Sequence, residues 1–429
     1  MNTRKINQIK KNLICDKKRL YLDFTASGLG YKPIEKKIQK VLKTYANTHS
    51  KVSHNSEITS EYYAQAHKDL KKTLGLTDEF VVLPAGSGTT GAIKKFQEIV
   101  GLYIPPATKK RFGEVKEKPL VLIGPFEHHS NEISYRESFC DVIRIPLNSE
   151  KEIDLKYLAQ VLEENKKRSE IYGSFSVASN ITGLLNPLEK ISKLLRKYNA
   201  VVAFDSASFS AYGNVDCELY DALFMSPHKL IGGPGASGLL VIKKYLYNTN
   251  LAPTFAGGGT VRYVSKSYCF YSENIEERED AGTPAILQFI KTAEVYNLRN
   301  QIGLENIAKH EDQMKKYFFK KIKEVENVEI YTPENKETLS IFSFNIKGIN
   351  CYDLSEVLSR KFKIETRAGC SCAGPYGHDL LCLEEKFENY LNHNVGWLRV
   401  GFFYIHTKKD IDYFISSLKK SIKILTKTK

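Results

Sequence analysis

Lys229 stands in Ser226-Pro227-His228-Lys229, directly after the apolar run 222–225 and before Gly232-Gly233-Pro234-Gly235. A lysine held away from bulk water loses its proton more readily, and its neutral amine can form an imine with a carbonyl compound. A surface turn carrying a solvated lysine has the same local pattern, so this stretch decides nothing alone. Other polar residues follow strand-like runs in the same way. Glu127-His128-His129-Ser130-Asn131 follows 119–124, Ser179-Asn180 follows 171–178, and Asp205 follows 200–204. Gly86-Ser87-Gly88-Thr89-Thr90-Gly91 follows 80–83 and leads into a helix. Taken singly, Asp205 reads as a cap, Asn180 as a turn former and His128 as a packed surface histidine.

Ligands of open α/β sheets bind beyond the carboxyl ends of the strands, so these residues are expected at one rim. A glycine turn opening a helix offers N–H groups, hydroxyls and a positive helix end to a phosphate. It has neither the lysine placement of a P-loop nor the three-glycine dinucleotide fingerprint. A carboxylate against a pyridine nitrogen makes that ring an electron sink, a lysine can hold its aldehyde, and an imidazole can stack on its face. These are the requirements for binding pyridoxal 5'-phosphate.

The elements that must carry this rim alternate along the first part of the chain. Amphipathic spacing predicts helices over 31–46, 57–74 and 92–100, with strands at 80–83, 119–124, 171–178, 200–204, 222–225 and 238–242. Asn186-Pro187-Leu188-Glu189 has the cap, proline and acid of a helix start. Such alternation predicts a mostly parallel sheet covered on both faces. Beyond 284 the pattern changes to long helices over 284–298 and 302–325, strands around 338–346 and 396–403, and a final helix from Thr407. The expected division is a large α/β domain, 1–283, and a smaller α+β domain, 284–429. Roughly the first 25 residues are expected to pack on the smaller one.

Composition excludes several classes. The 429 residues are 42% hydrophobic and 26% charged, ordinary for a globular enzyme. Net charge is +14, but the lysines are dispersed along helix faces rather than clustered, so no nucleic-acid partner is expected. No apolar run is long enough to span a bilayer, and Met1–Lys11 lacks an apolar signal core. A cytoplasmic protein without membrane contact is expected. The eight cysteines are scattered except for Cys370 and Cys372, which is no secreted disulfide framework.

Five stretches carry a resemblance over nearly the whole chain, from Tyr21-Leu22-Asp23 to the final helix. They are Ser87–Ile93, Glu127–Asn131, Ser226–Lys229, Ala281-Gly282-Thr283-Pro284 and Thr366–Pro375. The chain resembles the class V aminotransferase superfamily of fold-type I pyridoxal-phosphate enzymes, and within it the cysteine desulfurases. The resemblance implies a large domain with a mostly parallel, seven-stranded sheet. It implies that Lys229 bonds the cofactor aldehyde and moves protons, that Asp205 pairs with the pyridine nitrogen, and that His128 stacks on the ring and shares in catalysis. Gly88, Thr89, Thr90, Ser226 and His228 would hold the phosphate, with Thr283 reaching it from the partner subunit of a homodimer. Asn180 and Arg399 would bind the carboxylate of L-cysteine. Cys372 would take its sulfur as a persulfide, releasing L-alanine and passing the sulfur to an acceptor protein. Two positions depart from the pattern. Ser208 stands where the desulfurases usually carry a glutamine that bonds the ring hydroxyl, and Cys370 occupies a place not usually cysteine. Asp205-Ser206-Ala207-Ser208 and Gly257–Val261 also resemble molybdenum-cofactor sulfurases.

Cys370, Cys372, His378 and Cys382 admit other readings. Their spacing is not a standard zinc knuckle, and no metal site is expected; incidental cysteines and a sulfur nucleophile both remain open. The rival functions are an aminotransferase or (seleno)cysteine lyase, which would need Lys229 but not Cys372, and a non-catalytic sulfur-delivery or binding protein.

Overall fold

In the computed structural model of the chain, residues 3–48, 50, 52–111, 117–383 and 396–427 are described. His49, whose role the sequence does not fix, lies outside them. Seven strands form the main sheet, in the order Phe80–Pro84, Leu239–Lys243, Ala222–Met225, Val201–Asp205, Ile171–Ser176, Leu120–Ile123 and Asp141–Arg144. Leu239–Lys243 runs antiparallel to both neighbours, and the other pairings are parallel.

Strand side chains alternate between two cores. Val82, Leu122, Val202, Phe204 and Leu223 face one cluster, while Val81, Leu83, Val121, Ala203 and Phe224 face the other. Both faces are covered, which is why these strands read as continuous apolar runs. Asp141–Arg144 has no such signal. It is an edge strand of four half-buried residues with charge at both ends, and the sequence reading passed over it.

A four-stranded antiparallel sheet, in the order Val328–Ile330, Ile341–Ile346, Trp397–Gly401 and Arg367–Gly369, packs with helices Leu304–Ile322, Cys351–Phe362 and Lys408–Lys427 around a second core. Phe318 stacks on Phe342 there, ring centres 4.0 Å apart. The Ile286–Ile302 helix buries Ile286, Phe289, Ile290 and Ala293 in the main-sheet core, so its packing places it with the first unit. Gly303, at φ 95°, separates it from the next helix. The amino-terminal segment joins both units: Ile9 and Leu13 enter the first core, while Leu22 enters the second. Leu20–Tyr21 pairs in parallel with Ile364–Glu365, and Phe24 stacks on Phe403 at 4.5 Å. A smaller cluster closes the junction, with Phe126, Ile181 and Leu184 from the strand-end loops meeting Ala373, Tyr376 and Trp397. No helix among the described residues is long and apolar enough to cross a membrane.

Candidate active site

A cavity of about 380 Å³ opens at the carboxyl ends of the main-sheet strands. Every strand end named from the sequence contributes to it: Gly88, Thr89 and Thr90, His128, Asn180, Asp205 and Ser208, and Ser226, His228 and Lys229. Cys372 and Arg399, from the far end of the chain, line the same cavity.

At one end, the Thr89–Ile99 helix presents its amino terminus. It starts three residues before the helix expected from 92, so Thr89 and Thr90 form its first turn. The Thr89 N–H donates to Ser226 Oγ at 2.9 Å, and that hydroxyl in turn donates to Thr89 Oγ1 at 3.3 Å. A Cβ on Gly88 would lie 3.0 Å from Ser226 Oγ and 3.3 Å from His228 Nε2, so glycine keeps this corner open. Thr90 Oγ1 lies 2.7 Å from Ser130 Oγ. N–H groups, hydroxyls and the helix dipole converge here as an anion cradle.

Lys229 is half-buried on the cavity wall, and its desolvation lowers its ammonium from 10.5 to about 8, against the opposing pull of Asp205. At pH 7 about a tenth is therefore free amine, the nucleophilic form, far more than for a lysine at the ordinary value. Burial raises the Asp205 carboxyl, while the Ala207 N–H at 2.8 Å and the nearby Lys229 favour its ionised form. His128 caps the His129–Arg136 helix, its Nδ1 accepting the Ser130 N–H at 3.1 Å. Burial, then Lys229, push its ring down to about 4, so it is a neutral, flat imidazole at physiological pH. Burial likewise takes His228 to about 4. Glu127, behind this wall, accepts from Asn131 Nδ2 and from the Ser176 N–H and hydroxyl; burial nonetheless raises its carboxyl to about 7.

The opposite wall is built across the two units. Arg399 lies directly opposite Arg367 in the strand pairing, and both line the cavity. The Arg399 guanidinium donates from Nη2 to Asp23 Oδ1 at 2.8 Å and from Nη1 to the Asn180 carbonyl at 2.9 Å. Asn180 donates from Nδ2 to the Ser371 carbonyl at 2.9 Å, and its Oδ1 is a buried acceptor without a partner among the described residues. Ser371 and Cys372 both take left-handed backbone angles, φ 53° and 60°, a conformation rare for non-glycine residues.

Thr283 is not part of this cavity in its own chain. It is exposed, and its hydroxyl accepts from Asn47 Nδ2 at 3.1 Å. No cluster of three or more metal-ligating side chains occurs among the described residues. Asp23 and Ser371 were missed as site residues. Asp23 follows the short strand Leu20–Tyr21, but nothing in its local sequence announces Arg399 as its partner.

The donor set fits a flat aromatic aldehyde with a phosphate tail. The cradle at Gly88, Thr89 and Ser226 suits the phosphate, buried Asp205 a ring N–H, neutral His128 a ring face, and Lys229 an aldehyde. The unpartnered Asn180 Oδ1 leaves an acceptor for one more donor.

The aminotransferase class-V family model matches residues 20–414. A protein from Halobacterium salinarum named a probable cysteine desulfurase is 24% identical over 412 residues, covering 94% of this chain and 92% of that protein. The apo structure of a cysteine desulfurase from Thermococcus onnurineus superposes with a TM-score of 0.81 at 23% identity, covering 97% of this chain and 98% of that one. A cysteine desulfurase from Escherichia coli, in its S-sulfonic acid form, gives a TM-score of 0.80 at 19% identity, with 99% and 100% covered. At these identities the structural likeness concerns the fold, and it agrees with the fold-type I architecture expected from the sequence.

Proposed function

The chain belongs to the aminotransferase class-V family, and from that premise we propose that it is a pyridoxal-phosphate-dependent cysteine desulfurase acting on L-cysteine. The observation that carries this reading is that a half-buried lysine of lowered basicity and a cysteine on a left-handed turn line one cavity.

When bound, pyridoxal phosphate would supply an aldehyde for the substrate amino group and a ring that accepts the electron pair released at the substrate Cα. Gly88, Thr89, Thr90, Ser226 and His228 would hold its phosphate. The Asp205 carboxylate would accept the ring N–H and the neutral His128 ring would cover one face, with Ser208 lining the same cavity. Lys229 Nζ would bond the aldehyde, and as a free amine it would carry the proton taken from the substrate Cα. Arg399 grips the substrate carboxylate with N–H groups beyond those given to Asp23 and Asn180, and the Asn180 amide supports it. The Cys372 thiolate attacks the substrate sulfur, forming an S–S bond as the substrate C–S bond breaks. The electron pair of the broken bond stays with the carbon skeleton, which takes up protons and leaves as alanine. Only the thiolate is competent for this attack.

Two features support a homodimer. Thr283 is exposed outside its own cavity, where it would complete a partner's phosphate site. The hairpin Val261–Val264/Cys269–Tyr271 exposes Tyr263, Tyr268 and Phe270, surface that a second copy would cover. A separate acceptor protein would collect the sulfur from Cys372.

The test is persulfide labelling after L-cysteine is added, comparing the natural protein with Cys372→Ser and Cys370→Ser. Alanine and a labelled Cys372 peptide are expected from the natural protein and from Cys370→Ser, and neither from Cys372→Ser. Undiminished alanine and sulfide from Cys372→Ser would overturn the reading. A keto acid without sulfur release would replace it with an aminotransferase.

A further inference from the structure

The Cys372 turn is held from outside by a residue that does not line the cavity. The His129 backbone N–H donates to the Cys372 carbonyl at 2.9 Å, and His129 Nε2 accepts the Gly374 N–H, also at 2.9 Å. One residue therefore grips the chain on both sides of Ala373, which is itself fully buried in the junction cluster. The fit is close: a Cβ on Gly374 would stand 3.2 Å from His129 Nε2. An Nε2 that accepts must carry no proton, so the ring is neutral with its proton on Nδ1. Burial, which lowers the basicity of His129, favours that form.

The grip matters because of the backbone it holds. Ser371 and Cys372 are consecutive non-glycine residues in the left-handed region, which persists only when surrounding contacts enforce it. The contacts that do so come from the main-sheet unit: Asn180 Nδ2 on the Ser371 carbonyl, and His129 on Cys372 and Gly374. We infer that His129 is a positioning residue that docks the Cys372 turn on the rim, while its neighbour His128 faces the cavity. This rests on the desulfurase reading only for its consequence in catalysis; the clamp itself is a property of the chain.

The test separates acceptor position from bulk. A glutamine places its side-chain oxygen as far from Cα as Nε2, whereas an asparagine ends one bond short, at the place of Nδ1. His129→Gln is expected to keep the Gly374 bond and His129→Asn to lose it. Alkylation of Cys372 by iodoacetamide, followed by mass spectrometry in a Cys370→Ser background without substrate, reads the turn directly. A rate change of about fivefold is expected in His129→Asn, the effect of one hydrogen bond, with His129→Gln close to the natural residue. In alanine formation, the same asparagine variant should lose about fivefold in kcat with KM for L-cysteine within about twofold. Equal alkylation rates in both variants, changed or unchanged, would overturn the clamp. Amide exchange at Gly374 in the natural protein needs no variant: protection is expected, and exchange at the rate of an open loop would also overturn it. An alkylation contrast without any alanine production would sink the desulfurase reading and leave the clamp standing.

Discussion

The two walls of the cavity are built by different means. The Lys229 wall is a row of strand ends, in which Ser176 and Asp205 are register partners on neighbouring parallel strands and Ser226 follows the next one. Sheet hydrogen bonds and the two apolar cores that sandwich the sheet fix that spacing. The Cys372 wall has no such frame. Arg399 is oriented by Asp23 from the amino-terminal segment, and the Ser371–Gly374 turn is tied to Asn180 and His129 of the other unit. One wall is set by register within a sheet, the other by docking between units. On the proposed function, the difference separates cofactor binding from sulfur chemistry.

The sharpest break comes from Lys229. Lys229→Ala should lower alanine formation about a thousandfold or more, and borohydride should no longer trap cofactor on the peptide that carries residue 229. Cys372→Ser should keep that trap intact. If it also lost the cofactor, the walls would not be independent.

On the docking wall, Asp23→Ala removes the acceptor of Arg399 Nη2 and leaves the guanidinium oriented only by the Asn180 carbonyl. KM for L-cysteine should rise about tenfold, the loss of one charge-assisted hydrogen bond, with little change in kcat. An unchanged KM would mean that the sheet alone positions Arg399.

A pH profile tests the strand-end wall by itself. The amine of Lys229 deprotonates around pH 8 rather than near the ordinary 10.5. Condensation of an aromatic aldehyde with the cofactor-free protein should therefore rise with pH and level off above about 8. A rise that continued toward pH 10 would show an unburied lysine.

The smallest effect is expected where the units meet. Glu311, on the Leu304–Ile322 helix, is buried with neither carboxylate oxygen paired among the described residues, and burial raises its carboxyl from 4.5 to about 8. The unfolded chain releases this proton from about pH 4.5 upward while the folded chain keeps it to about 8, so stability should fall as pH rises through that window. Glu311→Gln should remove this slope and add ~1–3 kcal/mol at pH 8, read from denaturant midpoints.

The strand-end wall was legible because continuous apolar runs mark the strands and polar residues follow them closely. The run 222–225 ends at Met225, and Ser226 and Lys229 come next whatever the rest of the chain does. The helix at Thr89 was read three residues late because glycine and threonine carry little helical signal, although the first turn they make is the anion cradle. The Asp141–Arg144 edge strand, half-buried along its length, had no apolar run to betray it. Cys372 and Arg399 entered through the resemblance, since neither spacing nor periodicity ties them to Lys229.

What the sequence determined by itself is thus the set of groups on the strand ends, because side-chain alternation and sheet register are local properties that neighbouring residues encode. The tertiary structure alone decided that Asp23 faces Arg399 and that His129, rather than His128, holds the Cys372 turn. Those contacts join segments hundreds of residues apart. They form where Phe24 stacks on Phe403 and where Phe126, Ile181, Tyr376 and Trp397 bury one another, and no local pattern records which distant surface a buried side chain will meet.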